Sequence, residues 1–116
     1  MRYMLLIYTK ETDWTSLDDQ GKGQMYQEYM AFTDQIRKSG HYVAGDGLEP
    51  TRTATTIQVR EGKTVSTDGP FAETREQLGG YYVVKARDLD EAMTLAARIP
   101  GAKMGSIEIR PVMEMP

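Results

Sequence analysis

The 116-residue chain has no cysteine and a single histidine, His41. A chain without thiols forms no disulfide, no zinc–thiolate site and no cysteine nucleophile. A single histidine also argues against a transition-metal site, because such sites draw mainly on histidine and cysteine. We therefore expect no bound metal, and the absence of cysteine fits the reducing cytoplasm.

Long apolar runs and blocks of like charge are missing as well. The apolar segment Tyr3–Tyr8 is far shorter than the roughly 20 residues that a membrane helix needs, and it lacks a signal-peptide cleavage site. The formal net charge is −3, with acidic and basic residues interspersed. Nucleic-acid binders usually carry a basic stripe that neutralises phosphates. We expect a cytoplasmic protein that binds neither membranes nor nucleic acid.

The motifs of the common cofactors do not occur. The segments Gly21–Gly23 and Gly45–Gly47 lack the spacing and the strand-to-helix setting of a dinucleotide fingerprint. There is no phosphate-binding loop and no Gly-x-Ser-x-Gly elbow, and a serine triad would depend on His41. Any chemistry is therefore expected to proceed without a cofactor.

What the sequence does contain is a regular succession of strand-like and helix-like segments, which we interpret as a single domain over residues 1–116. The predicted elements are a strand at Tyr3–Tyr8, a helix from Ser16 to Gly40, a strand at His41–Leu48, a hairpin of Thr53–Arg60 and Lys63–Thr67, a strand at Tyr81–Ala86, a helix from Asp88 to Pro100 and a strand around Ile107 and Ile109. Without the hairpin, this order is the ferredoxin-like split βαβ arrangement. The sequence predicts an α+β fold with an inserted β-hairpin.

Apolar stripes indicate which faces of the helices are buried. The predicted stripes are Leu17, Met25, Tyr29, Phe32 and Ile36 on the first helix, and Leu89, Ala92, Met93, Ala96 and Ala97 on the second. Two helices cover only one face of a sheet, yet the strands Tyr3–Tyr8 and Tyr81–Val84 are apolar on both faces. We therefore expect a second copy to cover the other face in a twofold homodimer.

The segment between the hairpin and the next strand is the most unusual part of the sequence. It reads DGPFAETREQLGG from residue 68 to residue 80. In a functional interpretation, Asp68 is an acid/base group oriented by a rigid turn. The predicted ligand contacts are then Gly69, Pro70, Phe71, Glu73 and Arg75. The structural alternative is turn chemistry, in which Asp68 caps its own backbone and Phe71 enters the core.

Three further residues are candidates for a site. Asp46 could join Asp68 and Glu49 in an acidic cluster suited to acid/base catalysis, or it could be a solvent-exposed turn residue. Tyr29 could direct its hydroxyl into a pocket, or it could be a core residue whose hydroxyl has one partner. His41 is the only histidine, and histidine is a common acid/base group in catalysis, but its position after the helix favours an interaction with the helix dipole.

The motif DGPFAETREQLGG resembles the signature of the DGPF-domain proteins, a branch of the YCII-related family. The similarity continues through Arg2–Tyr8, Tyr81–Val84, Asp88–Ala92 and Glu108–Val112, and so covers nearly the whole chain. This resemblance implies a ferredoxin-like α+β fold of the dimeric α/β-barrel type. It agrees with the homodimer that the apolar faces predict.

The resemblance also implies a class of activity. Related YCII proteins have a first-helix histidine and a nearby aspartate, proposed as an acid/base pair, and at least one acts as a lyase-type enzyme on a small acid. In this chain Tyr29 takes the matching helix position and Asp46 lies in the region of the second group. The histidine-dependent mechanism therefore does not carry over.

Two functions follow as predictions. The first is a homodimer that binds a small polar molecule and performs cofactor-free lyase- or isomerase-type chemistry, with Asp68 or Asp46 as base and Tyr29 as donor. The second uses the resemblance of DGPF-type proteins to partners encoded beside extracytoplasmic-function sigma factors. It predicts a non-catalytic regulatory or ligand-sensing protein that acts through protein contact.

Overall fold

A computed structural model describes residues 1–116, with six strands and three α-helices. In chain order these are β1 (Arg2–Thr9), α1 (Glu11–Thr15), α2 (Asp19–Lys38), β2 (Tyr42–Gly47), β3 (Thr55–Arg60), β4 (Lys63–Asp68), β5 (Gln77–Lys85), α3 (Leu89–Ala97) and β6 (Ser106–Pro111). Short 3-10 turns lie at Thr51–Thr53 and Pro100–Lys103. The short helix α1 occupies a segment for which the sequence predicts only a loop.

The main sheet has the strand order β2-β5-β1-β6, and every neighbouring pair is antiparallel. Helices α2 and α3 pack on one face of this sheet. Their buried residues form a single core with alternate residues of β1 and β5. The predicted ferredoxin-like α+β fold of the dimeric α/β-barrel type is confirmed.

The helix boundaries follow local capping. The predicted cap at Ser16 is wrong, because the Asp18 side chain accepts a hydrogen bond from the Gly21 N–H at 2.7 Å and so begins α2. Gly40 ends α2 as predicted, with a φ of 82° that a glycine adopts without strain. Asp88 caps α3 as predicted, by accepting from the Glu91 N–H at 2.9 Å.

The buried face of α3 differs from the predicted one. Leu89, Met93 and Ala97 are exposed, whereas Ala92, Leu95 and Ala96 are buried. Leu95 is the one large side chain of α3 that enters the core, beside Ala92 and Ala96. No helix of the chain is both long and apolar enough to span a membrane.

Strands β3 and β4 form a separate two-stranded sheet that stands away from the main sheet. Their turn is Glu61-Gly62, with φ of 52° and 75°, and positive φ at both central residues is typical of a tight hairpin turn. The radius of gyration is 16.1 Å, against about 13 Å for a compact chain near this length. We attribute the difference to this projecting hairpin.

The second face of the main sheet, here called the open face, has no covering layer within the chain. Met4, Leu6 and Tyr8 of β1 point to it and stay half-exposed, while their neighbours on β1 are buried beneath the helices. The molecule is only 20 Å thick along its shortest axis, which fits one sheet and one layer of helices.

Candidate functional site

A cleft of about 630 Å³ opens between α2 and the β2–β5 edge of the sheet, with α1 on its outer side. We call it the tyrosine cleft. Its walls are mainly apolar and aromatic, and they include Ile7, Trp14, Met25, Tyr26, Tyr29, Thr33, Arg37, Tyr42, Gly45, Leu48, Tyr82 and Met104. Ligand sites commonly combine such walls with a few convergent polar groups in a volume of roughly 300–1,000 Å³.

Tyr29 and Tyr82 supply the central polar groups of the cleft. The Tyr29 hydroxyl oxygen accepts a hydrogen bond from the Gly101 N–H at 3.1 Å. The Tyr82 hydroxyl lies 2.7 Å from the hydroxyl of Thr33. Burial raises the pKa of both tyrosines above the ordinary value of 10. Both phenols are therefore neutral at physiological pH.

The aromatic frame of the cleft holds Tyr82 in place. Its ring makes edge contacts with Phe32 at 5.2 Å and with Tyr42 at 6.4 Å between centroids. Gly45 permits this position, because a Cβ there would lie 2.7 Å from the Tyr82 ring. Arg37 stacks on the ring of Tyr42, and its guanidinium carbon lies 4.7 Å from the centroid of that ring.

Glu11 is a carboxylate at the mouth of the cleft. Its two side-chain oxygens accept hydrogen bonds from the Thr51 backbone N–H at 2.6 Å and from the Thr51 hydroxyl at 2.9 Å. The Glu11 N–H donates to the side chain of Gln77 at 3.0 Å. These bonds join α1, the Thr51 turn and the start of β5 into one wall.

The predicted site residue Asp46 has its side chain on the open face. Its carboxylate accepts a hydrogen bond from the Tyr81 hydroxyl at 2.9 Å, and this bond raises the pKa of Tyr81. Tyr81 and Tyr82 are consecutive in β5 and point to opposite faces of the sheet. The sheet therefore separates the Asp46 carboxylate from the Tyr29 hydroxyl, although the backbone of β2 borders the tyrosine cleft.

The predicted group around Asp68 lies at the base of the projecting hairpin. None of residues 68–76, here called the Asp68 loop, lines the tyrosine cleft. Gly69 has a φ of 103°, and its N–H donates to the Ala54 carbonyl at 2.8 Å, so the glycine adopts the predicted turn conformation. The Asp68 side chain makes no hydrogen bond to its own backbone, so the predicted Asp68 cap is absent. Phe71 is 79% exposed, which excludes the core position that the structural alternative gives it.

The far end of the Asp68 loop nevertheless contacts the wall of the cleft. The Gln77 side-chain amide donates to the Thr74 carbonyl at 2.7 Å, while its oxygen accepts from Glu11. Pro70, Glu73 and Arg75 are exposed to solvent. As binding residues, these three, Gly69 and Phe71 stay predictions.

His41 lies outside the tyrosine cleft. Its imidazole is 2.7 Å from the Ser39 hydroxyl and 3.3 Å from the Glu91 carboxylate, so it joins the end of α2 to the start of α3. No group of three or more histidine or acidic side chains is arranged to hold a metal ion.

Sequence reasoning missed several residues of the cleft. Thr33 and Arg37 follow Tyr29 at intervals of four residues, and this spacing on one helix face was a usable signal. Glu11 gave no such signal, because its partner Thr51 lies 40 residues away in the chain.

Comparison with known proteins identifies the family of this chain. The chain matches the YCII-related domain over residues 1–116. It belongs to the YCII-related family. A relative of this YCII-related protein, an uncharacterised protein of Rhizobium meliloti (strain 1021), is 32% identical over 114 residues, which cover 97% of this chain and 92% of that one. The resemblance read from the DGPFAETREQLGG motif is thereby confirmed.

A solved structure shares the fold. It is the 5-chloro-2-hydroxyhydroquinone dehydrochlorinase TftG of Burkholderia phenoliruptrix, in complex with 2,5-dihydroxybenzoquinone. The TM-score is 0.56, and the match covers 99% of the YCII-related protein and 96% of the TftG chain. The two sequences are 9% identical, so the likeness concerns the fold alone.

Proposed function

We propose that this protein binds a small polar molecule in the tyrosine cleft and performs cofactor-free proton transfer on it. The observation that supports this most is that the hydroxyl-bearing residues Tyr29 and Tyr82 both line one concave, largely apolar space. Each hydroxyl has one fixed partner and capacity for another, as a phenol both donates and accepts. Fixed polar groups in an apolar cleft orient a ligand.

Tyr29 is the proton donor in this proposal. Its phenol is protonated at neutral pH, so it donates a hydrogen bond to the ligand in the resting protein. Burial raises its pKa, which favours this protonated form and does not make the phenol a stronger acid. The Glu11 carboxylate is on the same side of the sheet and retains lone pairs beyond its two bonds to Thr51. We assign it as the base of a proton-transfer reaction in the cleft.

Asp46 and Asp68 belong to a second form of the proposal. In a homodimer joined through the open face, Asp46 and Tyr81 would line an inter-sheet cavity with their own carboxylate and phenol. Asp68, with Gly69, Pro70, Phe71, Glu73 and Arg75, would contact a ligand from the mouth of the cleft. The bond from Gln77 to the loop supports this placement, because it ties the loop to the wall of the cleft.

The fold comparison supports a ligand of small size. The TftG structure contains 2,5-dihydroxybenzoquinone, a six-membered ring with polar substituents. A molecule of that size fits the volume of about 630 Å³ between α2 and the sheet.

A thermal-shift screen against small carboxylates, phosphates and ring metabolites tests the proposal. A compound at a hundred times its Kd adds about 2.7 kcal/mol to the free energy of unfolding, which raises the Tm by several degrees. We expect a hit that is lost in Tyr29→Phe and retained in Tyr8→Phe, because Tyr8 lies on the open face and does not line the cleft. An Asp68→Ala variant run in parallel tests the loop. If every hit survives Tyr29→Phe, the cleft is not the site.

The projecting hairpin favours a second function, the regulatory partner. Ile57, Val59 and Val65 are about half-exposed on strands that pack on no other layer. Isolated two-stranded hairpins are marginally stable and gain from a partner. Co-purification with an extracytoplasmic-function sigma factor, lost in Ile57→Thr/Val59→Thr and retained in Tyr29→Phe, would support this function over catalysis.

A further inference from the structure

The hydrogen-bond roles of Tyr29 and Tyr82 can be assigned by counting protons. Gly101 donates its N–H to the Tyr29 oxygen, so that oxygen is an acceptor in this bond and the phenol proton remains for another partner. Tyr29 therefore offers a donor to the cleft.

Tyr82 has the opposite role. The Thr33 hydroxyl has a single proton, and it is 2.8 Å from the Tyr29 backbone carbonyl, an acceptor that cannot donate in return. If Thr33 donates there, the 2.7 Å contact between Thr33 and Tyr82 must use the phenol proton of Tyr82. The remaining lone pair of Tyr82 then offers an acceptor to the cleft.

Arg37 adds a positive charge on the same helix face. Tyr29, Thr33 and Arg37 follow one another at four-residue intervals, so the first and last are about 12 Å apart along the helix axis. Arg37 is the only cation among the residues that line the cleft, and its single carboxylate partner, Asp34, is 3.9 Å away. Its guanidinium retains donors for an anion.

The space between these polar groups is suited to a flat ring. The rings of Tyr42 and Tyr82, which are in edge contact with each other, line this space together with Ile7, Met25 and Leu48. A ring of this kind would have one anionic end toward Arg37. Its other end would carry a group that accepts from Tyr29 and donates to Tyr82.

We propose that the tyrosine cleft selects aromatic carboxylates with a hydroxyl opposite the carboxylate. Arg37 binds the carboxylate, Tyr29 donates to the hydroxyl oxygen, and the hydroxyl proton is donated to Tyr82. One phenolic hydroxyl satisfies both tyrosines, because it is a donor and an acceptor at once. This inference rests on the proposed function and names the ligand class for the same cleft.

Titration calorimetry with four matched probes tests the assignment. 4-Hydroxybenzoate has all three features, benzoate lacks the hydroxyl, 4-methoxybenzoate accepts but does not donate, and 4-hydroxybenzamide lacks the charge. We expect 4-hydroxybenzoate to bind at least about tenfold more tightly than each of the other three, since one hydrogen bond changes affinity by about that factor. Equal binding of benzoate and 4-hydroxybenzoate would overturn the proposal.

Substitutions of Tyr82 and Arg37 test which part of the ligand each side chain contacts. In Tyr82→Phe, 4-hydroxybenzoate should no longer bind more tightly than 4-methoxybenzoate. The same variant should still bind 4-hydroxybenzoate more tightly than the uncharged 4-hydroxybenzamide. Arg37→Gln should reduce the preference for carboxylate over amide, and Arg37→Lys should restore part of it because the charge returns. Unchanged preferences in folded Tyr82→Phe and Arg37→Gln proteins, verified by their melting curves, would contradict the assignment.

The result also separates this inference from the proposed function. If no benzoate binds but another small polar molecule binds in a Tyr29-dependent way, the ligand class is wrong and the site stands. If nothing in the screen binds in a Tyr29-dependent way, both fail.

Discussion

Tyr29 shows how one residue can serve both packing and chemistry. Its ring packs against the core under α2, while its hydroxyl accepts a hydrogen bond from the backbone N–H of Gly101 in the tyrosine cleft. The two interpretations that the sequence leaves open, core residue and pocket residue, therefore describe two parts of one side chain. The hydroxyl is the part that makes a functional role testable.

The raised pKa of Tyr29 predicts a loss of stability in alkaline solution. Below pH 10 the phenol is neutral in both the folded and the unfolded chain. Above pH 10 the unfolded chain ionises first, because burial holds the folded pKa higher, so the free energy of unfolding falls as the pH rises. Urea denaturation between pH 8 and pH 11 should show this fall.

The variant Tyr29→Phe should show a shallower decline over the same pH range. At neutral pH it should lose about 1 kcal/mol, because the Gly101 N–H loses its acceptor. Tyr26→Phe is the matched control, since the Tyr26 ring is exposed on the same helix. An identical alkaline decline in Tyr29→Phe and the native protein would show that Tyr29 does not contribute.

At the scale of an element, β2 shows why one strand contains two glycines with different roles. A Cβ at Gly45 would lie 2.7 Å from the Tyr82 ring and 3.1 Å from the Tyr81 carbonyl oxygen, while one at Gly47 would meet nothing within 4 Å. Only Gly45 is required for the cleft to keep its shape.

Alanine substitutions should separate the two glycines. Gly45→Ala is expected to cost about 1–3 kcal/mol, since the ring of Tyr82 is held by Phe32 and Tyr42 and cannot yield freely. Gly47→Ala should change the free energy of unfolding by less than about 0.5 kcal/mol. Equilibrium denaturation in urea measures both. Equal effects would mean that Tyr82 is not confined as described.

The β3–β4 hairpin is expected to open independently of the main sheet. Gly62→Ala forces alanine into a φ of 75° and should destabilise the turn by about 1 kcal/mol. Amide hydrogen exchange should then accelerate in Thr55–Arg60 and Lys63–Asp68 but not in β1 or β5. A uniform acceleration across the chain would contradict independent opening.

The sequence predicts elements better than it predicts the cleft. The Glu61-Gly62 turn and the Asp88 cap depend on neighbouring residues, and both are present as predicted. The α3 face was misjudged because two stripes at helical spacing share Ala92 and Ala96, and the structure buries the one that contains Leu95 and leaves Met93 exposed. The cleft joins residues from α1, α2 and two strands, and the pairing of Glu11 with Thr51 is invisible without the fold.

For the molecule as a whole, the open face is the main argument for the proposed homodimer. Met4, Leu6 and Tyr8 lie on it beside the charged edge strand β6, whose Glu108 and Arg110 pair with Leu6 and Met4. In a twofold dimer each edge can present its acid to the partner's base. The face thus combines an apolar centre with a charged margin.

A charge at the centre of the open face should prevent this association. Leu6→Lys is expected to give a monomer in sedimentation equilibrium at concentrations where the native chain is a dimer, because the ammonium would be buried against apolar surface. Met93→Lys, exposed on the helix side, is the control. A native chain that is monomeric throughout would rule out the homodimer.

The most direct test of the central claim is to map amide chemical shifts of the isotope-labelled protein while the strongest hit of the screen is added. The tyrosine cleft predicts that the largest changes fall on Tyr29, Thr33, Gly45, Tyr82 and Gly101, with small changes in the projecting hairpin. Changes confined to the hairpin and the Asp68 loop, with those five amides unmoved, would contradict the account.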